Sequence, residues 1–66
     1  MNLLVTGGCG FIGSNFINFI FPLCDELGIQ KLINLDAMYY CADENYIDKT
    51  IRDNQNYIFM QFCYHF

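Results

Sequence analysis

The stretch TGGCGFIG at residues 6–13 decides how this chain folds, because its glycines lie between an apolar run and a long apolar segment of helical character. The run before it, LLV at residues 3–5, is typical of a buried strand. Gly7 allows a tight exit from that strand, Gly10 lets the backbone approach a phosphate, and Gly13 lets the helix pack close to the strand. The first N–H groups of a helix lack intrahelical partners and carry a partial positive charge. The motif therefore predicts a pyrophosphate-binding turn between a strand and a helix.

An acidic residue follows the glycines at the expected distance. The apolar run KLINL at residues 31–35 ends in Asp36. In dinucleotide-binding folds, an acid roughly 20 residues beyond the glycine turn binds the ribose hydroxyls. A carboxylate there repels a 2′-phosphate, so Asp36 predicts NAD rather than NADP as the cofactor. The alternatives are a glycine-rich turn that binds no ligand and an aspartate that only caps a loop.

Hydrophobic patterning predicts the element order β-α-β-(α)-β. The predicted strands and helices are residues 2–6, about 11–21, 31–36, about 44–52 and 57–61. Pro22 is expected to end or kink the first helix. This order is typical of an α/β fold and matches the N-terminal portion of a doubly wound parallel sheet, here an incomplete NAD(P)-binding Rossmann fold. We expect one partial NAD-binding domain over residues 1–66, with FCYHF at 62–66 as an aberrant tail.

Two further expectations concern the first helix and the cysteine between the glycines. Apolar side chains are expected to cover most of the first helix, leaving Ser14, Asn15 and Asn18 as its polar positions. Cys9 is interpreted as a variable position of the turn and not as a nucleophile, because no histidine lies nearby in sequence to activate it.

Composition argues against several classes of function. The chain has 66 residues, 55% hydrophobic, with a net charge of -4 and only three basic residues, so we expect no nucleic-acid partner. The apolar segment at residues 16–24 is too short to span a membrane. The four cysteines lack zinc-site spacing, so we expect no metal. A nucleotide-binding turn indicates a cytoplasmic location, where thiols stay reduced, so we expect free thiols.

The predicted topology indicates that copies of this chain associate with one another. The first strand of a doubly wound sheet is central, so without a fourth strand LLV at residues 3–5 forms an open apolar edge. One substantial helix can cover only one face of the sheet. We therefore expect self-association through the open first strand, and a molten or insoluble monomer.

The motifs resemble a known family. The stretch TGGCGFIGSN at residues 6–15 resembles the cofactor turn of extended short-chain dehydrogenases that act on nucleotide sugars. NLD at 34–36, YCA at 40–42 and NY at 56–57 are similar to the dTDP-glucose 4,6-dehydratases, and an NAD-dependent nucleotide-sugar epimerase is the alternative member. The resemblance covers about residues 2 to 61.

By matching position, the resemblance implies a set of cofactor-binding residues. Those of the pyrophosphate turn would be Gly7, Gly10, Phe11, Ile12 and Gly13. Asp36 would bind the adenosine ribose, and Met38, Tyr39 and Ala42 would lie beside the adenosine half. The family usually has lysine where this chain has Ala37, and an acid or amide where the tail has Cys63.

The chemistry of the family depends on residues that this sequence does not contain. Its catalytic base is the tyrosine of a Tyr-x-x-x-Lys pair, and none of the five tyrosines here has a lysine four positions later. We therefore expect a truncated NAD-binding segment, inactive alone, of an enzyme that converts dTDP-glucose to its 4-keto-6-deoxy product. The alternatives are a small NAD- or partner-binding module without catalysis, and a non-functional product of a broken gene.

Overall fold

The computed structural model describes residues 1–36 and 43–61. Within these residues, three parallel strands form one sheet: β1 (Asn2–Thr6), β2 (Lys31–Asp36) and β3 (Tyr57–Gln61), with β2 in the centre. The predicted strands are therefore confirmed, and β1 lies at an edge of the sheet. The predicted cofactor residues Met38, Tyr39 and Ala42, and the tail at 62–66, lie outside the described residues.

The first helical region is divided at its proline. Helix α1 (Phe11–Ile20) continues into a 3₁₀ turn (Phe21–Leu23) and then into α2 (Cys24–Leu27). Pro22 lies in the 3₁₀ turn, where its missing N–H and fixed φ interrupt the α-helical pattern, as the sequence predicts. Gly28, at φ 73°, ends α2 in the left-handed conformation that glycine adopts most readily.

The second helical region differs from the single short helix that the sequence predicts. A 3₁₀ turn (Glu44–Tyr46) is followed by Ile47 in an extended conformation and then by α3 (Lys49–Arg52). Asp43 accepts a hydrogen bond from the N–H of Asn45, which fixes the first turn. The Ile47 side chain is completely buried, and its burial favours an extended residue at this position over a continuous helix.

The core lies between α1 and one face of the sheet. Leu32 of β2 and Tyr57 of β3 are paired neighbours that face Ile17 of α1, and all three are buried. The complete buried set is Cys9, Ile17, Cys24, Ile29, Leu32, Ile47, Ile51 and Tyr57. Cys9 belongs to this core with no exposed surface, and its interpretation as a variable position of the turn stays a prediction. Among the described residues, Cys9 and Cys24 are free thiols.

Helix α1 buries fewer of its apolar side chains than its composition suggests. Ser14 and Ile17 are its buried residues, and the Ser14 hydroxyl donates to the Phe11 carbonyl oxygen at 3.0 Å. Four large apolar side chains of the helix remain exposed: Phe11, Ile12, Phe16 and Phe19. The polar Ser14 is thus buried, whereas these four apolar side chains face outward.

The opposite face of the sheet is apolar and open. Side chains alternate along a strand, so Leu4, Ile33 and Ile58, which are paired in register, lie on the face away from the core. Leu35 and Met60 continue this face. Leu4 is 58% exposed and Met60 is 52% exposed. We call these five residues the open face.

Candidate dinucleotide-binding site

The turn between β1 and α1 begins at a glycine that needs its special backbone conformation. Gly7 has φ 69°, a region that side-chain-bearing residues rarely adopt. Its N–H donates to the Leu35 carbonyl oxygen at 2.9 Å, which extends the pairing of β1 with β2 by one bond. The N–H of Gly10 then donates to the Gly7 carbonyl oxygen at 3.2 Å and closes the turn. The chain thus passes from strand to helix within a few residues.

Close packing explains two further glycines. A Cβ atom at Gly13 would overlap the carbonyl oxygen of Gly7 and lie 2.9 Å from the Cα of Gly8. A Cβ atom at Gly8 would overlap the Asn34 side-chain oxygen and lie 2.5 Å from Cδ1 of Ile17. Contacts within the protein therefore require glycine at both positions.

Gly10 is different, because the described residues leave space beside it. A Cβ atom there would have the Gly7 carbonyl oxygen as its nearest neighbour, at an ordinary 3.5 Å. Its φ of -73° suits any residue. Neither packing nor backbone conformation explains this glycine, whereas a ligand that lies against the backbone would. Gly10 thus fits the close approach of a pyrophosphate.

The N–H groups of the turn itself are bound to the protein. Gly8 donates to Oδ1 of Asn34 at 3.0 Å, and Cys9 donates to Oδ2 of Asp36 at 2.7 Å. The Cys9 carbonyl oxygen accepts from the N–H of Asp43 at 2.9 Å. Side chains of β2 and the backbone that follows it therefore hold the turn from both sides.

The N–H groups suited to binding an anion belong to the residues that follow Gly10. In an α-helix that begins after Gly10, the N–H groups of Phe11, Ile12 and Gly13 have no intrahelical acceptor. Ser14 is the first helical residue to donate back, to the Gly10 carbonyl oxygen at 2.8 Å. The start of α1 thus offers N–H groups together with the positive end of a helix of ten residues.

Basic side chains lie elsewhere. Lys31 begins β2, at the end opposite the turn. Lys49 forms an ion pair with Asp53, and Nε of Arg52 donates to the Ile47 carbonyl oxygen at 3.0 Å. These three are all the lysines and arginines of the sequence. A bound phosphate would therefore depend on backbone N–H groups.

Asp36 lies at the carboxyl end of β2, next to the turn. It is buried, and its contact with the N–H of Cys9 gives it a structural role that the sequence did not predict. Its assignment to the adenosine ribose stays a prediction. Both roles use the same edge of the sheet, where the carboxyl ends of parallel strands meet and where open α/β sheets bind ligands.

Asn34 contacts the turn in a way that the sequence pattern did not predict. It is completely buried in β2, and Oδ1 accepts from the N–H of Gly8. Nδ2 donates to the Tyr57 hydroxyl at 3.0 Å and lies 3.4 Å from Sγ of Cys9. The available signal was an asparagine within an otherwise apolar strand, where a buried amide needs several partners.

Burial raises the pKa values of two titratable groups beside the turn, the Cys9 thiol and the Tyr57 hydroxyl. It raises the pKa of the Cys9 thiol, against the hydrogen bond from Asn34, and the carboxylates of Asp36, Glu44 and Asp43 raise it further. Burial also raises the pKa of the Tyr57 hydroxyl. A buried thiol that resists ionisation is a poor nucleophile, which agrees with a structural role for Cys9.

Comparison with known proteins gives a consistent relationship. No family model matches the chain. It is 42% identical over 59 residues to dTDP-D-glucose 4,6-dehydratase of Homo sapiens and 37% identical over 59 residues to dTDP-glucose 4,6-dehydratase of Haemophilus influenzae. Each of these matches covers 89% of this chain and 16% of the relative. The low-salt glycan biosynthesis protein Agl12 of Haloferax volcanii is 34% identical, over 92% of this chain and 18% of that protein.

A solved structure extends the comparison to three dimensions. The crystal structure of dTDP-glucose 4,6-dehydratase from Bacillus anthracis in complex with NAD matches with a TM-score of 0.76 and 44% identity. The match covers 94% of this chain and 19% of that one. The chain therefore spans less than a fifth of the proteins it matches. In sequence and in fold, this chain is similar to the N-terminal part of the dTDP-glucose 4,6-dehydratases, and its sheet matches the corresponding part of their Rossmann-like NAD-binding fold.

Proposed function

We propose that this chain binds NAD through the turn that joins β1 to α1. The start of α1 would hold the pyrophosphate, and Asp36 would bind the adenosine ribose. The observation that carries the proposal is Gly10, whose missing side chain leaves space that no described residue fills. The similarity to a dehydratase solved in complex with NAD supports it.

The site so assembled would be partial. Phe11 and Ile12 are 72% and 84% exposed, so the described residues do not enclose a ligand beside them. Exposed sites leave a ligand largely in water, whereas tight small-molecule sites bury most of the ligand surface. We therefore propose weak binding by this chain alone, with Met38, Tyr39 and Ala42 as further candidate contacts to the adenosine half.

We further propose that the chain is a cytoplasmic segment related to the dehydratase and does not turn over a nucleotide sugar by itself. The family's base is a tyrosine with a lysine four positions later, and this sequence has none. An assay for the 4-keto product, with dTDP-glucose and NAD supplied, is expected to give the rate of a control without protein. Sustained product formation would contradict this part of the proposal.

Cofactor binding is tested by titrating the chain with NAD and with NADP in separate calorimetric experiments. NAD is expected to bind and NADP to bind more weakly, because the Asp36 carboxylate repels a 2′-phosphate. Asp36→Asn is the matched variant, since its amide oxygen can still accept from the N–H of Cys9 while the charge is removed. It should reduce the preference for NAD. Equal binding of NAD and NADP by the unmodified chain would overturn the assignment of Asp36.

A further inference from the structure

We infer that Asn34 is a positioning residue for the pyrophosphate turn, an inference that rests on the proposed binding of NAD. The side chain lies on the inner face of β2, behind the turn, and is completely buried. It cannot reach a ligand in front of the turn. Its effect on binding would pass through the backbone of Gly8 and Cys9.

The hydrogen bonds of Asn34 fix its orientation. The N–H of Gly8 can only donate, so the side-chain oxygen must face it, at 3.0 Å. The side-chain nitrogen then faces the Tyr57 hydroxyl at 3.0 Å and Sγ of Cys9 at 3.4 Å. Among the described residues, every buried side-chain oxygen and nitrogen has a partner. Asn34 therefore connects the turn with β3 through one fully satisfied amide.

The contact depends on the absence of a side chain at Gly8. A Cβ atom there would occupy the position of the Asn34 oxygen. The glycine and the asparagine thus form a matched pair, in which the amide fills the space that the glycine leaves. Position 8 is glycine to admit Asn34, not to admit a ligand.

Because the glycine turn packs closely against α1, a shift of the turn would also displace the start of the helix. A Cβ atom at Gly13 would lie 2.9 Å from the Cα of Gly8, so the first turn of α1 and the glycine turn are in tight contact. If Gly8 lost its acceptor and moved, the N–H groups at the start of α1 would move with it. Those groups are the ones assigned to the pyrophosphate.

The test combines two variants of the full chain with one matched control. Asn34→Leu keeps the size of the side chain but removes its polar atoms, and Tyr57→Phe removes only the hydroxyl that accepts from Nδ2 of Asn34. Ile51→Val alters a buried core residue of α3 and serves as the control. Hydrogen exchange at the Gly8 and Cys9 amides is measured by NMR, together with global stability and the Kd for NAD.

Both variants are expected to speed exchange at Gly8 by more than the change in global stability explains. Loss of the buried acceptor in Asn34→Leu should raise the Kd for NAD about tenfold, and Tyr57→Phe should raise it by a smaller factor. Ile51→Val should change exchange at Gly8 only in proportion to global stability and leave the Kd unchanged.

Several results would overturn the inference. One is exchange at Gly8 that follows global stability in Tyr57→Phe as it does in Ile51→Val. Another is an unchanged Kd in a folded Asn34→Leu, and if that variant does not fold, an unchanged Kd in Tyr57→Phe decides against it. If the unmodified chain does not bind NAD, the proposed function fails, and exchange at Gly8 still decides whether Asn34 holds the turn.

Discussion

Gly8, Gly10 and Gly13 belong to one sequence motif, but each is glycine for a different physical reason. Gly8 admits the Asn34 amide, Gly13 lets α1 approach the backbone of Gly7, and Gly10 borders space that the described residues leave open. The sequence motif alone does not separate these roles, because all three positions look alike. The separation requires the neighbours of each Cβ position, which come from other elements of the fold.

Alanine substitutions at Gly10 and at Gly13 each add one methyl group and distinguish the roles of the two glycines. Gly10→Ala is expected to keep the free energy of unfolding within about 1 kcal/mol of the unmodified chain, since φ at this position suits alanine, while weakening NAD binding. Gly13→Ala is expected to destabilise the fold by about 1–3 kcal/mol through overpacking. Urea denaturation and NAD titration of both variants check this. Equal destabilisation by the two substitutions would contradict the roles assigned here.

The buried thiol of Cys9 predicts a loss of stability at alkaline pH. Burial raises the pKa of Cys9 above its ordinary value of 9.0. The folded chain therefore holds the proton more tightly than the unfolded chain, and its stability declines as pH rises from about 9 through the raised pKa. Urea denaturation at several pH values should show this decline, and Cys9→Ser should reduce it. The decline that remains is assigned to Cys24 and Tyr57, whose pKa values burial also raises.

Among the elements, those set by local patterning could be predicted from the sequence. The three strands and the break at Pro22 follow from apolar runs and from the missing N–H of proline. The buried face of α1 could not be predicted, because burial of the polar Ser14 and exposure of apolar side chains depend on how the helix packs in the fold. The division of the second helical region depends on burial of Ile47, which is a tertiary effect.

For the site, the sequence predicted the turn and the place of Asp36 beside it. It did not predict that Asp36 and Asn34 hold the N–H groups of Cys9 and Gly8. These bonds join residues more than twenty positions apart, and spacing in the sequence does not fix the orientation of a side chain. The sequence does show Asn34 as a polar residue within an otherwise apolar strand.

One side chain of α1 holds the divided second region in place. Nδ2 of Asn18 donates to the Tyr46 carbonyl oxygen, and its Oδ1 accepts from the N–H of Asp48, both at 2.9 Å. Asn18→Ala is expected to destabilise the chain by about 1–2 kcal/mol through loss of both bonds. Asn15→Ala on the same helix is the control, because Asn15 is exposed. Thermal unfolding that responds equally to the two substitutions would contradict this role.

For the whole molecule, the open face and the edge strand β1 predict self-association. Leu4 and Met60 are exposed on a face that is apolar across all three strands, and β1 has a neighbour on one side only among the described strands. Exposed apolar faces and unpaired strand edges favour association. Sedimentation velocity is expected to show species larger than the monomer as concentration rises.

Lysine substitutions on the open face test whether copies of the chain associate through it. The double substitution Leu4→Lys and Met60→Lys should shift the chain toward the monomer. Phe19→Lys is the control, since Phe19 is 68% exposed on α1, which packs on the other face of the sheet. If Phe19→Lys disperses the assemblies and the double variant does not, association occurs through the helix and not through the open face.

Binding of the NAD pyrophosphate by the start of α1 can be followed residue by residue in an NMR titration. The backbone amide signals of the chain, at low micromolar concentration, are followed as NAD is added. If the start of α1 binds the pyrophosphate, the signals of Phe11, Ile12 and Gly13 shift progressively, while that of Lys31, at the opposite end of β2, stays in place. Signals at the start of α1 that do not move at millimolar NAD, or shifts centred on Lys31, would show that NAD does not bind there.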